Sequence, residues 1–559
     1  MAHQSQQSRV GPWADYRRLL LVAACIAGAI ALGILLRTAW NAGLNPDQEV
    51  DQRYFLNNLA GLTGTRQFGN FFNANSVQLE ASYGYTFQAL AFATSWAWSA
   101  ISGQSFDPFA TEVLNTRNVL VLLASLVVLP SVYLIARSIS DKRWVGWVSV
   151  AGILLIPTFT GHAFINQKDM PLAAGFTALT AATVVFMRRI LIPERQTHMG
   201  RRTLLNLEYD QWALAGLLAF GVCMTVGTRP PTAVAVAATC AVAMFVAVRH
   251  RQYLRRSDLI WAGAGLATGA IAIIATNAGA TPNPAAWIVD SISIAGDFPA
   301  WRAQQLINGD RLLPEQLPRT QIIGMVLAQT PVVMLLLTGI GILGIAREVA
   351  TAGPLRRQSL LWVPVMIQLA LLPAGGVIQG SLFYNASRQV LFVYPMIAVI
   401  AAWGVFSLAQ WLPHGAIRNL GFTVVALLAL VPAIDTLTLY PYQYVYFNEA
   451  TRGDLTNRYE LDYWGISGPE TQRWVNQNYP TAIVVNPPPW DLKRSASSGI
   501  DIVEEWPSGS DRELIWAGPW YPSWNFADYP QCPVVHETTR SLWGEDLRLG
   551  YVRRCTERL

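Results

Sequence analysis

The sequence predicts a polytopic α-helical membrane protein: a bundle of about eleven transmembrane helices followed by a small extracytoplasmic α/β domain at the C-terminus. Three observations predict it. The 559 residues are 52% hydrophobic and only 13% charged, about half the charged fraction of a soluble chain this long. Apolar runs of roughly 20 residues, the length that crosses a bilayer, recur along the first 440 positions. The basic residues between those runs all fall on one side if the N-terminus is cytoplasmic. A net charge of +5, with no basic run interleaved with aromatics, points away from a nucleic-acid partner.

The apolar runs lie near 19–37, 118–138, 144–160, 171–188, 212–228, 232–248, 259–277, 321–346, 361–379, 390–412 and 421–440. The first is long and lacks a small-residue cleavage site, so it reads as a span rather than a signal peptide. Arg9, Arg17 and Arg18 precede it, and Asp141-Lys142-Arg143 separates the second from the third. Arg188, Arg189, Arg195, Arg201 and Arg202 follow the fourth, Arg249, Arg251, Arg255 and Arg256 the sixth, and Arg347, Arg356 and Arg357 the eighth. With these on the cytoplasmic side, an odd number of spans puts the C-terminus outside. Residues 1–440 thus form a transmembrane module with two long outer loops, 41–117 and 278–320, and 441–559 an outer domain. The loop 278–320, with Trp287, Asp297, Trp301, Arg302 and Asp310, is long enough to gate a lipid or bind an acceptor.

Cys25, Cys223 and Cys240 sit in spans as small hydrophobes, whereas Cys532 and Cys555 lie in the tail, where an outside compartment permits pairing. No CxxC or His/Cys cluster suggests zinc. In the tail, Ser467-Gly-Pro-Glu470 has the form of a capping box opening a helix, and "TAIVVN", "ELIWAG" and "LGYVRR" read as strands. Its tryptophans, Trp464, Trp474, Trp490, Trp506, Trp516, Trp520 and Trp524, are expected mainly to pack, with stacking on sugar rings a secondary reading.

Two outward stretches carry unusual polarity. "NPDQEVDQRYFLNNLAGLTG", just after the first span, sets Asp47, Glu49 and Asp51 within five positions ahead of an amphipathic helix. Either the acids cap that helix or one is a general base at the membrane surface. "YGYTFQALAFATSWAWSA" then reads as a helix lying in the headgroup plane, a surface suited to membrane lipids. The second stretch, "GHAFINQKDMPLAAGF", brings His162, Asn166, Lys168 and Asp169 to the edge of an apolar helix. Asp169 before Met170-Pro171 suits an N-cap, yet the group holds more polar atoms than a cap needs. Lysine occurs only at 142, 168 and 493.

"KDMPLAAGF" with the acidic cluster after helix 1 resembles the GT-C glycosyltransferases of the dolichyl-phosphate-mannose protein mannosyltransferase and lipid A aminoarabinose transferase type. "SLFYNASRQVLFVYPMIAVIAAWG" and "LYPYQYVYFNEATRGDLTNRYELDYWGISGPE" are similar to a bacterial branch of that superfamily. The resemblance covers most of the chain. It implies a GT-C-type bundle and an enzyme that takes a sugar from a polyprenyl-phosphate carrier and inverts its anomeric centre. It also implies a first-loop carboxylate near the acceptor and a second-loop acid holding the site. Carried over, Asp51 is the candidate base and Asp169 its partner. Relatives show an Asp-Glu pair where this chain, aligned on Tyr54, reads Val50-Asp51, so Asp47 and Glu49 stay open for that role. Some relatives need a divalent ion and others do not, and the paired acids permit either.

The residues fit such chemistry by themselves. An activated sugar–phosphate needs an acceptor hydroxyl deprotonated and a departing phosphate met by fixed cations. Arg388 in "FYNASR" is the favoured phosphate ligand, with Tyr384 beside it, Lys168 next, and Arg229 in "GTRPPT" mostly an interfacial charge. His162 and Asn166 complete the outer polar group. Heavy use of arginine over lysine suggests a GC-rich bacterium and so an envelope polysaccharide as acceptor. Two rival readings are a flippase for lipid-linked saccharides, which would show mid-helix charges and inverted repeats, and a non-catalytic scaffold, which would leave the outer acids dispensable.

Overall fold

The computed structural model describes residues 12–65, 83–192, 203–204, 207–296, 304–353, 356–485, 492–503, 513–519 and 532–555. Arg9, Arg195, Arg201, Arg202, Asp297, Trp301, Arg302, Trp490, Trp506, Trp520 and Trp524 lie outside the described residues. Among the described residues, eight helices are long and apolar enough to cross a membrane, and three shorter apolar helices accompany them. The chain is a multi-pass membrane protein; the expected count of about eleven spans is not confirmed by length alone.

Chain order is α1 (Pro12–Trp40), α2 (Pro46–Leu62), α3 (Thr86–Ser102), α4 (Thr111–Leu126), α5 (Val128–Ser140), α6 (Arg143–Leu154), α7 (Pro157–His162) and α8 (Asp169–Leu191). Then come α9 (Tyr209–Val226), α10 (Ala233–Arg249), α11 (Arg256–Thr276), α12 (Pro284–Gly296), α13 (Gln321–Ala328) and α14 (Val332–Ala352). The module closes with α15 (Leu372–Gln379), α16 (Tyr394–Trp411) and α17 (Ala416–Thr438). Proline sets several of the breaks, because it lacks the N–H that the preceding turn would use. Pro130 follows the interruption between α4 and α5, and Pro157 starts α7, so the expected run 144–160 is two helices. The expected run 321–346 is likewise cut at Gln329-Thr330-Pro331 into α13 and α14. Asp47 and Glu49 sit in the first turn of α2, which begins at Pro46, and Asp51 lies one turn further along it. Arg117, taken from sequence as the end of that loop, lies inside α4.

The core is formed by α8 and the segment Arg388–Trp411, whose most apolar windows are each 94% buried, against 11% for α17 at the rim. α8 packs on α9, α5 and α10, and α16 on α14, α6 and α5. Where α14 crosses α16, a side chain on Gly341 would run into the Ile400 carbonyl, and one on Gly404 into that of Leu337. Small residues are what allow such close backbone approach between membrane helices. Gly404→Leu is therefore expected to cost more than the usual ~1–3 kcal/mol of overpacking, because backbone on the far side cannot yield. The readout is loss of the monodisperse peak and a lower unfolding temperature in detergent.

Before α15 the chain makes a π-helical turn, Ile367–Leu371, ahead of Pro373. π-turns inside helices often accompany functional sites. Here the turn carries Gln368, which is wholly buried and saturated: it donates to Phe392 O at 2.8 Å and Thr177 Oγ1 at 3.0 Å, and accepts from Thr180 Oγ1 at 2.6 Å. That polar crosslink ties the turn to α8.

The C-terminal sheet has five strands among the described residues: β1 (Ile483–Val485), β2 (Asp501–Val503), β3 (Leu514–Pro519), β4 (Val534–Leu542) and β5 (Glu545–Cys555). Their order is β2-β1-β3-β5-β4, parallel over the first three and antiparallel over the last. α18 (Gly468–Asn478) covers it over Val475, Val484, Ile515, Ala517 and Val552. β2 and β4 escaped the sequence reading, since their burial does not alternate cleanly. Cys532 and Cys555 are disulfide-bonded. Ser467 makes no capping bond to α18; Glu470 accepts instead from Arg540 Nη2 at 2.7 Å and Tyr442 OH at 2.8 Å, which corrects the capping-box expectation. Trp464 and Trp516 are buried, and Trp474 stacks on His536, in keeping with packing roles.

Candidate functional site

The sequence-adjacent Lys168 and Asp169 do not serve each other. Lys168 Nζ lies 2.7 Å from Asp51 Oδ1 and 3.8 Å from Asp47 Oδ2. Asp169 Oδ1 is 2.9 Å from Arg229 Nη2. The i,i+4 spacing of Asp47 and Asp51 puts both on one face of α2, so a single lysine meets both. Glu49 points elsewhere: it pairs with Arg494 from the C-terminal domain and, at 3.8 Å, with Arg53. Arg494 also donates to Phe109 O at 2.8 Å. Of the first-loop acids, Asp47 and Asp51 join the cluster and Glu49 does not.

Arg388 Nη1 reaches Asp47 Oδ2 at 3.3 Å. Its guanidinium sits 5.0 Å from the ring centres of both Tyr384 and Trp464, and its side chain is 5% exposed. Tyr83 faces Lys168 at 5.3 Å and Arg229 at 5.9 Å. Among the described residues three cations and three carboxylates thus alternate from Arg388 through Asp47, Lys168 and Asp51 on one arm, with Asp169 and Arg229 on the other.

Asp169 is the first residue of α8 but caps nothing; no side-chain cap bond is made there. Asn166 orients it, donating to Asp169 Oδ2 at 3.1 Å while its own Oδ1 accepts from the Asp169 backbone N–H at 2.8 Å. Behind Asn166 stands His162, with Nδ1 at 3.3 Å from the Asn166 amide and Nε2 at 3.1 Å from Tyr463 OH. His162 is 1% exposed among Tyr444, Tyr463 and Trp464. It supports Asn166 from the interior, and the "DYWG" stretch supplies the rings that enclose it.

Burial and charge set the protonation states. Burial acts to raise the Asp47 carboxyl, but Lys168, Arg388 and Arg229 more than offset it and hold it at about 2. Asp51 moves the other way: burial pushes it up, Lys168 opposes, and the neighbouring Asp47 charge adds to the rise. Burial disfavours the Lys168 ammonium, yet Asp51 and Asp47 outweigh it and keep it protonated. Asp51 is therefore the stronger base of the two. Burial pushes the His162 imidazole down to about 3, so it is neutral at physiological pH.

That shift has a thermodynamic sign. The unfolded chain protonates His162 near its ordinary 6.5 and the folded one only near 3, so the stability is fully present above 6.5 and declines as the pH falls toward 3. The expected slope is about 1.4 kcal/mol per pH unit from this group alone. Chemical unfolding at pH 7, 6 and 5 checks it, with His162→Gln expected to flatten the decline.

The cluster opens on a cavity of about 360 Å³, within the size range of small-molecule sites. Tyr83, Asp169, Arg229, Gln379 and Tyr384 are among its polar lining residues, and Leu172 of α8, Ile292 of α12 and Leu372 of α15, with Pro230, Leu371 and Phe392, among its apolar ones. Lys168, Asp47 and Asp51 are not in this lining, and Asp51 and Lys168 instead share a small pocket with Tyr83. Arg229, read mainly as an interfacial charge from sequence, faces this cavity; Arg388, the favoured phosphate ligand, is not among the lining residues. Tyr83, Gln88 and Arg117 were not assigned site roles from sequence; Arg117 stood at the border of the loop 41–117 and the apolar run 118–138, and only the structure places it inside α4. Among the described residues no three His, Cys, Asp or Glu side chains gather in a metal-holding set, and each cluster carboxylate is already matched by a cation.

No protein-family model matches the chain, and no curated protein matches it. Among solved structures, ArnT from Cupriavidus metallidurans bound to undecaprenyl phosphate is similar at 11% identity and a TM-score of 0.39, over 95% of this chain and 98% of that one. The archaeal oligosaccharyltransferase AglB from Archaeoglobus fulgidus, in complex with an inhibitory peptide and a dolichol-phosphate, is similar at 12% identity and 0.41, over 81% of this chain and 58% of AglB. The mycobacterial arabinofuranosyltransferase AftD is similar at 14% and 0.37, over 94% of this chain and 39% of AftD.

Proposed function

We propose that the chain is a GT-C-type inverting glycosyltransferase that moves a sugar from a polyprenyl-phosphate donor to an extracytoplasmic cell-envelope acceptor. The observation that supports it is a largely apolar cavity lined in part by helices of membrane-spanning length and by Arg229, Asp169 and Tyr83, with a buried Asp51–Lys168 pair in a small adjoining pocket on the other side of Tyr83. An isoprenoid suits the walls and a phosphate the cation. In the proposed step the acceptor hydroxyl oxygen attacks the sugar C1, the C1–O bond to phosphate breaks on the opposite face, and Asp51 takes the hydroxyl proton. Arg229 and Lys168 stabilise the charge on the leaving phosphate. Arg388, held between Tyr384 and Trp464, fixes Asp47 and through it the start of α2. In this reading α2, the hinge 163–168 and the domain 441–559 all face the outside.

The test is to incubate purified protein with a panel of polyprenyl-phosphate sugars, together with a cell-envelope polysaccharide extract as the hydroxyl acceptor, and follow release of lipid phosphate. Release with one donor, lost in Asp51→Asn, supports the proposal. No release with any donor, from protein that remains folded, overturns it.

A further inference from the structure

A second buried cation lies near Asp51 and takes no part in the proposed step. Arg117, in α4, is 1% exposed. Its Nη1 donates to Gln52 Oε1 at 2.5 Å and its Nη2 to Gln88 Oε1. Among the described residues its Nε and the Gln52 amide nitrogen have no partner, and no carboxylate forms an ion pair with it. A guanidinium buried against neutral amides is expensive, far more so than a leucine at that place in an apolar helix. Something must draw on its charge.

The geometry names the target. Gln52 follows Asp51 on α2, and Gln48, one turn earlier, donates to Asn118 Oδ1 at 2.5 Å. Arg117 and Asn118 of α4 thus hold one face of α2, while Lys168 meets the neighbouring face through Asp47 and Asp51. Gln88 fixes the same guanidinium to α3. The charged and titratable groups around Asp51 are Lys168, Asp47, Arg117 and Tyr83, and it shares a small cavity with Tyr54, Tyr83, Tyr85, Gln88, Lys168 and Thr228. Of the two cations, Lys168 also lies 5.3 Å from the ring of Tyr83, which separates it from the larger cavity, so it is the one that an anionic donor entering past Tyr83 would reach.

We propose that Arg117 is a positioning residue for Asp51: it clamps α2 through Gln52 and α3 through Gln88, and keeps a fixed positive charge near the carboxylate when Lys168 turns to an anionic donor. The last clause rests on the proposed glycosyl transfer; the clamp and the fixed charge do not. Without Arg117, Lys168 alone opposes burial and the Asp47 charge, and Asp51 would take up its proton at a higher pH than in the intact protein.

The test needs no donor. Dicyclohexylcarbodiimide labels protonated carboxyls in apolar surroundings, and peptide mass spectrometry of the full chain in detergent reads the pH at which Asp51 becomes reactive, with Asp51→Asn marking the peptide. In Arg117→Met the onset is expected to move up by about one pH unit, and in Arg117→Lys to stay within a few tenths. An unmoved onset in folded Arg117→Met, or an equal move in Arg117→Lys, overturns the proposal. Should Arg117→Met fail to fold, Gln52→Leu and Gln88→Leu loosen the guanidinium and are expected to shift the onset upward by less; no shift in either overturns it. Protein that labels as expected but releases no lipid phosphate sinks the glycosyl-transfer reading and leaves the clamp standing. Active protein whose onset ignores Arg117 does the reverse.

Discussion

Asp51→Asn is expected to slow release of polyprenyl phosphate by about 10²–10⁴-fold, the usual worth of a general base, while the amount of folded protein stays unchanged. The reason is local. Asp51 is buried against Lys168 at 2.7 Å, and its carboxyl sits above the ordinary range because burial and Asp47 both push it there. Asparagine keeps the shape and removes the proton acceptor, and Lys168 retains Asp47 at 3.8 Å as its counter-charge. Asp47→Asn is expected to cost less, since a carboxyl held at about 2 is a poor base. The pH profile gives a second reading. Only the ionised carboxylate accepts a proton, so the wild-type rate should rise with pH through the raised Asp51 value and then level off. An Asp51→Asn rate within a few-fold of wild type would remove Asp51 from the chemistry.

Arg229→Met is expected to produce the second large effect, and in two currencies. Asp169 is 1% exposed on its side chain and Arg229 27%, so removing the arginine strands a buried carboxylate, a loss of about 3–5 kcal/mol. The same change removes the cation facing the cavity and should raise the donor KM. The two effects separate in a double variant. Arg229→Met with Asp169→Leu should recover much of the unfolding temperature, because no charge is left stranded, yet donor binding should stay weak. If the double variant binds donor as wild type does, Arg229 is only a counter-ion for Asp169 and the phosphate must be met elsewhere.

Eight helices of membrane-spanning length were legible in the sequence because apolar length is a one-dimensional signal. The acidic run and the Lys-Asp pair were legible because charge beside an apolar helix is rare. What could not be read was who pairs with whom. Adjacent Lys168 and Asp169 suggest mutual neutralisation, yet they diverge to Asp51 and Arg229, partners 117 and 60 positions away by number. The ranking of Arg388 over Arg229 rested on motif context, and the aromatic rings that enclose Arg388 come from "SLFYNASR" and "DYWG" only when the chain folds back. Pro157 and Pro331 broke runs that hydropathy alone keeps whole. Glu470 looked like a cap because a local pattern was complete, and Arg540, 70 residues on, claimed it instead.

The clasp between Glu49 and Arg494 joins positions 445 residues apart. A ribosome making this chain therefore finishes nearly all of it before α2 receives that last tether. The lipid-facing part of the bundle is complete well before then. A product arrested ahead of Arg494 would already hold α2 through Lys168, Arg117 and Arg388 and would lack the clasp at Glu49, so the tie between α2 and the C-terminal domain forms late in synthesis.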